Sequence, residues 1–383
     1  MKRRNFIKSS ILAALVLSLP TSFMASPNKK KTLVLLELNG GADYLNIIIP
    51  YKEKNYYDLR PTLALKESEY LKLTETLAIN KDLDFLHSLY QNNDMAIING
   101  LGYKDPNLSH FRAIEIVETG SNSNEYLEEG WLSDVLEKEE LSKQKPVHAI
   151  VFGKRKKGHL FSKNLDVLQM KNISAFLKEG SKLNFDIPSS TQDATLGFLY
   201  KQKKTIERSL FSVNKYAKDV SVTIEFENSD ISNSFKEAVK IIKSPMDISV
   251  IKLSQKSYDT HANQKENLSL LLKELNAGIK SFVNELKTEN IFDEVLFLTY
   301  SEFGRRVKEN GSKGSDHGTA TFSFVIGGGV KGGLYGEYPS LTNLKKNNLI
   351  YTTEFKSFYN TLLSKWFLHK KNRFNAYDII TFI

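Results

Sequence analysis

The chain alternates short, nearly unbroken apolar runs with longer segments whose apolar residues recur every three or four positions. The first run, over residues 32–38, lacks the in-out alternation of a half-exposed strand. It therefore predicts a strand covered on both faces, as in a parallel sheet. Similar runs over 95–99, 147–152, 248–253, 295–300 and 322–326 predict further strands. Helical spacing predicts a helix over 82–91, with Leu83, Leu86, Leu89 and Tyr90 on one face. A longer helix is predicted over 263–286, where Leu268, Leu272, Leu275, Ile279, Phe282 and Leu286 form a buried stripe. A helix beginning at Ser109, with Ile114 and Val117 inward, is closed by Gly120. A final amphipathic helix covers 355–367. Strand, polar loop, helix and strand again is the α/β signature, and ligands in such sheets bind beyond the carboxyl ends of the strands. The more polar stretch over 154–244 reads as a mainly helical insertion or cap lying outside the sheet.

Composition narrows this picture. Of 383 residues 41% are hydrophobic and 25% charged, the balance of a globular protein. Cysteine is absent, which excludes disulfides, thiolate ligands and a cysteine nucleophile, so any metal must be held by oxygen and imidazole nitrogen. Lys2, Arg3, Arg4 and Lys8 precede a short apolar core from Ile11 to Leu19, the layout of an export signal over 1–25. Arg3-Arg4-Asn5-Phe6-Ile7-Lys8 resembles the twin-arginine pattern, which implies the twin-arginine export machinery as a partner and a periplasmic or secreted product. Removing those four positive charges lowers the formal +9 to +5. The remaining basic runs, such as Lys154-Arg155-Lys156-Lys157, lack interleaved aromatics, and nucleic acid is not expected as a partner.

Candidate chemistry sits at the strand ends. Asp259-Thr260-His261 places two side chains on one side of an extended segment, as metal ligands or as helix-capping groups. Glu302, with Arg305 following, ends another apolar run; Arg305 either joins a surface ion pair or grips an anionic substrate by paired donors. Asp316-His317-Gly318 follows a glycine-containing loop, and Asp43 follows Gly40-Gly41; each aspartate is a ligand or an Asx-turn residue. Ser109 is either the N-cap of its helix or a nucleophile in the positive potential of a helix N-terminus. His110 beside it reads as a support or substrate contact, and Arg112 as a second candidate anchor for an anion. His87, His148, His159 and His369 have no acidic companions and are read as structural.

Together these motifs resemble the exported domain-of-unknown-function family 1501 (DUF1501). The matching pieces are the segment from Leu35 to Asp43, Leu108-Ser109-His110-Phe111, Tyr258-Asp259-Thr260-His261, Ser301-Glu302-Phe303-Gly304-Arg305-Arg306, Ser315-Asp316-His317-Gly318 and the glycine-rich stretch from Gly327 to Gly333. That family looks like a branch of the alkaline phosphatase and sulfatase superfamily. The resemblance implies an alkaline-phosphatase-like three-layer sandwich with a central, mostly parallel sheet, as a single domain over 26–383. It also implies one or two divalent ions, Zn or Mn rather than Mg or Ca. Carried over by position, Asp43 and Glu302 bind one ion beside Ser109, while Asp259, His261 and His317 bind the other. Phe303 stands where the superfamily usually has a ligand histidine; Asp316 is read as a compensating ligand from its nearness in sequence, not from the family.

The expected activity is metal-dependent hydrolysis of phosphate or sulfate esters through Ser109, with Arg112, Arg305 and His110 contacting the substrate. The expected partner is a small anionic ester or an extracellular polymer. The alternative is a non-catalytic protein that keeps the fold for binding or assembly in the cell envelope.

Overall fold

The computed structural model describes residues 31–138, 147–153, 158–162, 165–184 and 193–383. The export signal over 1–25 and the basic run from Lys154 to Lys157 lie outside the described residues. Lys31–Ile383 forms one compact unit.

Its frame is a nine-stranded sheet. The strands are β1 (Thr32–Leu38), β2 (Met95–Gly102), β3 (Ala149–Phe152), β4 (Val167–Met170), β5 (Val250–Gln255), β6 (Val295–Tyr300), β7 (Thr321–Gly327), β8 (Gly333–Tyr335) and β9 (Thr353–Glu354). Their order is β8-β2-β7-β6-β1-β5-β3-β4, with β9 also paired to β2. From β6 through β4 the neighbours are parallel, and β7 alone runs antiparallel, between β6 and β2.

All seven residues of β1 are buried, as its nearly unbroken apolar run predicts. Leu33 and Leu35 enter one core, and Val34, Leu36 and Leu38 the other. The first core receives Ile116 and Val117 of α2 (His110–Thr119) and Phe355, Phe358 and Tyr359 of α7 (Phe355–Thr361). The second receives α1 (Asp84–Gln91), α5 (Asp230–Lys243) and α6 (Gln264–Thr288). Helices on both faces of one sheet make a three-layer α/β/α sandwich. Each fully buried leucine or phenylalanine in these cores contributes about 1.5–3 kcal/mol.

The span over 154–244 departs from the sequence reading. It holds α3 (Ile173–Gly180), α4 (Ala194–Tyr216) and α5, and is mainly helical. It also supplies β4, which pairs parallel with β3 and extends the sheet. Phe235 of α5 packs against Phe282 and Phe297, inside the main core. Four residues with one exposed position gave β4 too weak a pattern to stand out from polar surroundings.

The topology brings the polar clusters to one edge. Neighbouring parallel strands β5, β1 and β6 deliver the loops at 256–263, 39–43 and 301–306 from their carboxyl ends. Because β7 is antiparallel, its leading loop, with Ser315 to Gly318, reaches that same edge. β2, also antiparallel to β7, sends its following loop there, ending at Ser109 and His110.

Candidate metal centre

Arg305 ties this edge together. Its guanidinium is buried, with the residue 1% exposed. It donates to the carbonyls of Gly41 (2.8 Å), Ser315 (2.9 Å), Tyr258 (2.9 Å) and Gly40, and to Asp259 Oδ1 (2.6 Å). All its nitrogens are engaged, so the expectation that it grips a substrate anion is corrected: Arg305 staples three loops and orients Asp259. Gly40 makes this possible. Its φ is +121°, and a Cβ there would overlap the backbone nitrogen of Asp259.

Asp259 is half-exposed. Burial works against its charge, but the hydrogen bond and charge of Arg305 prevail and hold its carboxyl below the usual aspartate range.

Three imidazoles surround that carboxylate, each fixed through Nδ1. His317 Nδ1 lies 2.8 Å from the Leu108 carbonyl, His110 Nδ1 2.7 Å from Glu302 Oε1, and His261 Nδ1 3.2 Å from Asp316 Oδ1. A carbonyl and two carboxylates only accept, which assigns a proton to each Nδ1, so that in the neutral tautomer of these rings the lone pair is on Nε2. Those lone pairs converge. Nε2 of His261, His317 and His110 stands 3.1, 3.3 and 3.5 Å from the Asp259 oxygens. The Nε2 atoms of His261 and His317 are only 3.0 Å apart, and that of His110 is buried without a hydrogen-bond partner. Two facing lone pairs repel unless a proton or cation lies between them. Among the described residues, His110, Asp259 and His317 are the group whose ligand atoms all lie within 4.8 Å of one another.

This donor set fits a divalent transition metal: imidazole nitrogens, one carboxylate, and a carboxylate or carbonyl behind each ring. Asp316 belongs to that outer layer, since it bonds His261 and Asn310. Glu302 does too. It is buried, accepts from the backbone N–H of Gly40 (3.0 Å) and from the Ser301 hydroxyl (3.2 Å), and holds His110. That hydrogen bond raises the His110 pKa against the opposing effect of burial, whereas burial lowers that of His317. Phe303 packs against the rings of His110 and His317, at 4.9 and 5.0 Å.

A second ion at Asp43 is not what the geometry offers. Asp43 takes a paired contact from Arg60, at 2.6 and 2.9 Å, and a further bond from Gln264 Nε2. Both side chains are fully buried. A guanidinium lies where a cation would have to sit, so the pairing of Asp43 with Glu302 and Ser109 around one ion is corrected. Arg60 and Gln264 carry no sequence motif that points to Asp43.

Ser109 occupies the N-cap position of α2 yet makes no capping hydrogen bond with its hydroxyl. Its side chain is exposed, and its N–H donates to Asn107 Oδ1 (2.9 Å). Phe111, two residues on, is 88% exposed. Arg112 turns away: it pairs with Glu115 (2.6 Å), donates to the carbonyls of Ser123 and Glu125, and stacks on Tyr126. Its expected role as an anion anchor is therefore also corrected. The convergence of His110 with Asp259 and His317 was missed by the sequence reading, because no spacing links a residue on α2 to loops more than a hundred positions away.

No curated protein matches the chain. Solved structures similar to it include a protein in the alkaline phosphatase superfamily from Vibrio parahaemolyticus, with 13% identity, a TM-score of 0.40, and coverage of 88% of this chain and 67% of that one. A sulfatase from Pseudoalteromonas sp. is 12% identical, with a TM-score of 0.41 and coverage of 95% and 72%. The soluble domain of lipooligosaccharide phosphoethanolamine transferase A from Neisseria meningitidis is 10% identical, with a TM-score of 0.39 and coverage of 88% of both chains. Among the described residues no helix is long and apolar enough to cross a membrane. The segment that carries Asp259, His261, Glu302, Arg305, Asp316 and His317, residues 243–375, matches the family described as Protein of unknown function (DUF1501).

Proposed function

We propose that the chain is an exported, metal-dependent hydrolase of phosphate or sulfate esters, with Ser109 as nucleophile. The observation that carries this reading is the convergence of three Nε2 lone pairs on the Asp259 carboxylate. His110, Asp259, His261 and His317 would hold a divalent ion, Zn²⁺ or Mn²⁺, and Glu302 and Asp316 would keep two of those rings in their ligating tautomer. Such an ion supplies Lewis acidity towards an anionic ester. Ser109 offers an exposed hydroxyl at the start of a helix whose first N–H groups favour negative charge. Phe111 offers an apolar face to the rest of the ester. The substrate is a small anionic ester or an ester group on an extracellular polymer.

The Asp43–Arg60 pair favours a second reading, a binding or assembly protein of the cell envelope that keeps one ion for structure. One set of measurements separates the two. Purified protein is expected to bind about one equivalent of Zn²⁺ or Mn²⁺ and to hydrolyse a phosphate or sulfate monoester. Removing a nucleophile typically costs several orders of magnitude in kcat, so Ser109→Ala should lose activity and keep metal, while His317→Ala should lose both. Metal binding without hydrolysis across an ester screen would establish the second reading and sink the first.

A further inference from the structure

The long helix α4 is covered on one side only. From behind it is held by Ser209 and Val213, which are fully buried, and by Leu210, which packs over Gly180 of α3 where a Cβ would overlap it. The other side faces solvent, yet its composition is not that of an ordinary solvated face. Of the twelve large hydrophobic side chains exposed among the described residues, four lie on this one helix: Leu196, Phe198, Leu199 and Phe211. Single exposed apolar residues are common on any protein, but a group of them on one element marks a contact surface.

The order of side chains around the helix shows what kind of contact. At about 100° per residue, Leu199, Leu196, Tyr200 and Phe211 fall side by side on the open face. Lys204, Lys215, Arg208 and Lys201 continue round from them, and all four are exposed. None of these four cations has an ion pair among the described residues, and Glu207 is the one carboxylate within the arc. Lys215 lies beside the Phe211 ring, 5.5 Å from its centroid, so apolar and cationic groups meet directly. From Leu196 to Lys215 the face runs about 28 Å.

An apolar arc bordered by a basic arc selects the partner. A soluble polyanion would neutralise the cations and leave Leu196, Leu199 and Phe211 in water. A neutral bilayer would take up the apolar side chains and leave the cations without counter-charges. A bilayer with anionic headgroups satisfies both, because lysine and arginine stems lie along the boundary while their charged ends reach the phosphates. We propose that α4 docks the protein on an anionic lipid surface, lying in the plane of the interface with Leu196, Leu199 and Phe211 at the acyl boundary. The assignment uses none of the metal-centre residues and stands apart from the ester-hydrolase reading.

The test reads position 211 directly. Trp131 and Trp366 are buried, so in a Phe211→Trp chain the new indole is the one whose emission reports the outer face. The full chain is titrated at about 0.1 M salt with vesicles of phosphatidylcholine alone, and with vesicles of phosphatidylcholine and phosphatidylglycerol in equal parts. Flotation measures binding in parallel. The anionic vesicles are expected to shift the emission to the blue and to bind about tenfold or more tightly than the neutral ones. In the same background, Lys204→Gln with Arg208→Gln should weaken that binding about tenfold, and Glu207→Gln should tighten it a few-fold. All three positions are exposed, so the fold is not disturbed. An equal response to both kinds of vesicle, binding without an emission shift, or an unchanged affinity in the double variant would overturn the proposal. The same shift with dextran sulfate would overturn it in favour of a soluble polyanion. A shift that grows with protein concentration in the absence of vesicles would overturn it in favour of a second copy of the chain.

Discussion

At the residue scale, the proposed metal centre depends as much on what stands behind each candidate ligand as on the ligands. Asp316 contributes through the His261 ring, whose Nδ1 it fixes. Asp316→Ala is expected to weaken divalent-ion affinity about 10–100-fold, the usual effect of losing an outer-layer carboxylate. A chelator-competition titration reads this, and an unchanged affinity would remove Asp316 from the centre. Arg60 and Asp43 give a different kind of prediction. Arg60→Met leaves a buried carboxylate without its cation and should cost about 3–5 kcal/mol in urea unfolding. Adding Asp43→Leu should restore most of that loss, since an apolar pair of similar volume removes the stranded charge. A loss below 1 kcal/mol in the single variant would show that Asp43 is free to serve another partner. The motif residues themselves were legible in the sequence, but their roles were not. Arg305 and Asp259 looked like separate functional groups, yet 2.6 Å makes one the holder of the other.

Whole strands and helices carried the most readable signal. The runs predicted over 295–300 and 32–38 coincide with β6 and β1, because a strand buried on both faces is apolar at most positions and carries few polar residues to blur the run. The helix predicted over 82–91 begins instead with a 3₁₀ turn at Lys81–Leu83 before α1. Asn80 caps that turn by accepting from the Asp82 N–H, local chemistry that apolar spacing does not report. The predicted end of α2 is Gly120, whose φ of +70° is the left-handed conformation a glycine stop supplies. Glycines also separate strain from crowding. Gly329 has φ +75° with open space around it, and Gly329→Ala should cost about 1–2 kcal/mol from backbone strain alone. Gly40→Ala adds an overlap with Asp259 and should cost more, with metal affinity falling alongside. Equal thermal shifts for the two variants would show that the Gly40 loop and the Asp259 loop move apart freely.

At the scale of the whole molecule, a pH response comes from the core. His159 is buried between Trp131 and Tyr300, with ring centroids 5.7 and 4.6 Å away. Burial, reinforced by nearby Lys252, depresses its pKa well below the ordinary 6.5. The folded state therefore keeps this ring neutral where the unfolded chain takes up a proton. Its contribution is fully present above pH 6.5 and is lost as the pH falls, at about 1.4 kcal/mol per pH unit for one group. In metal-free protein, His159→Phe should flatten the stability curve below pH 6.5 relative to wild type. An identical slope in the two proteins would mean that the ring is solvated. His110, with its raised pKa, acts with the opposite sign and loses its contribution as the pH rises. The comparison at fixed His110 isolates the core histidine.

What can be read from the chain alone is the set of long buried strands, the α/β class, and the collection of acids and histidines at strand ends, while the short strands β4, β8 and β9 are not among it. The readable features follow from local periodicity and from which residue types bind cations, and both are written along the chain. Tertiary structure alone decided which of those groups meet. The antiparallel sense of β7 brings His317 to the edge where β5 delivers Asp259 and His261, and the course of β2 adds His110. The buried guanidinium of Arg60 takes Asp43 out of that company. Such pairings depend on distances between segments tens to hundreds of residues apart, and no pattern within a segment encodes them.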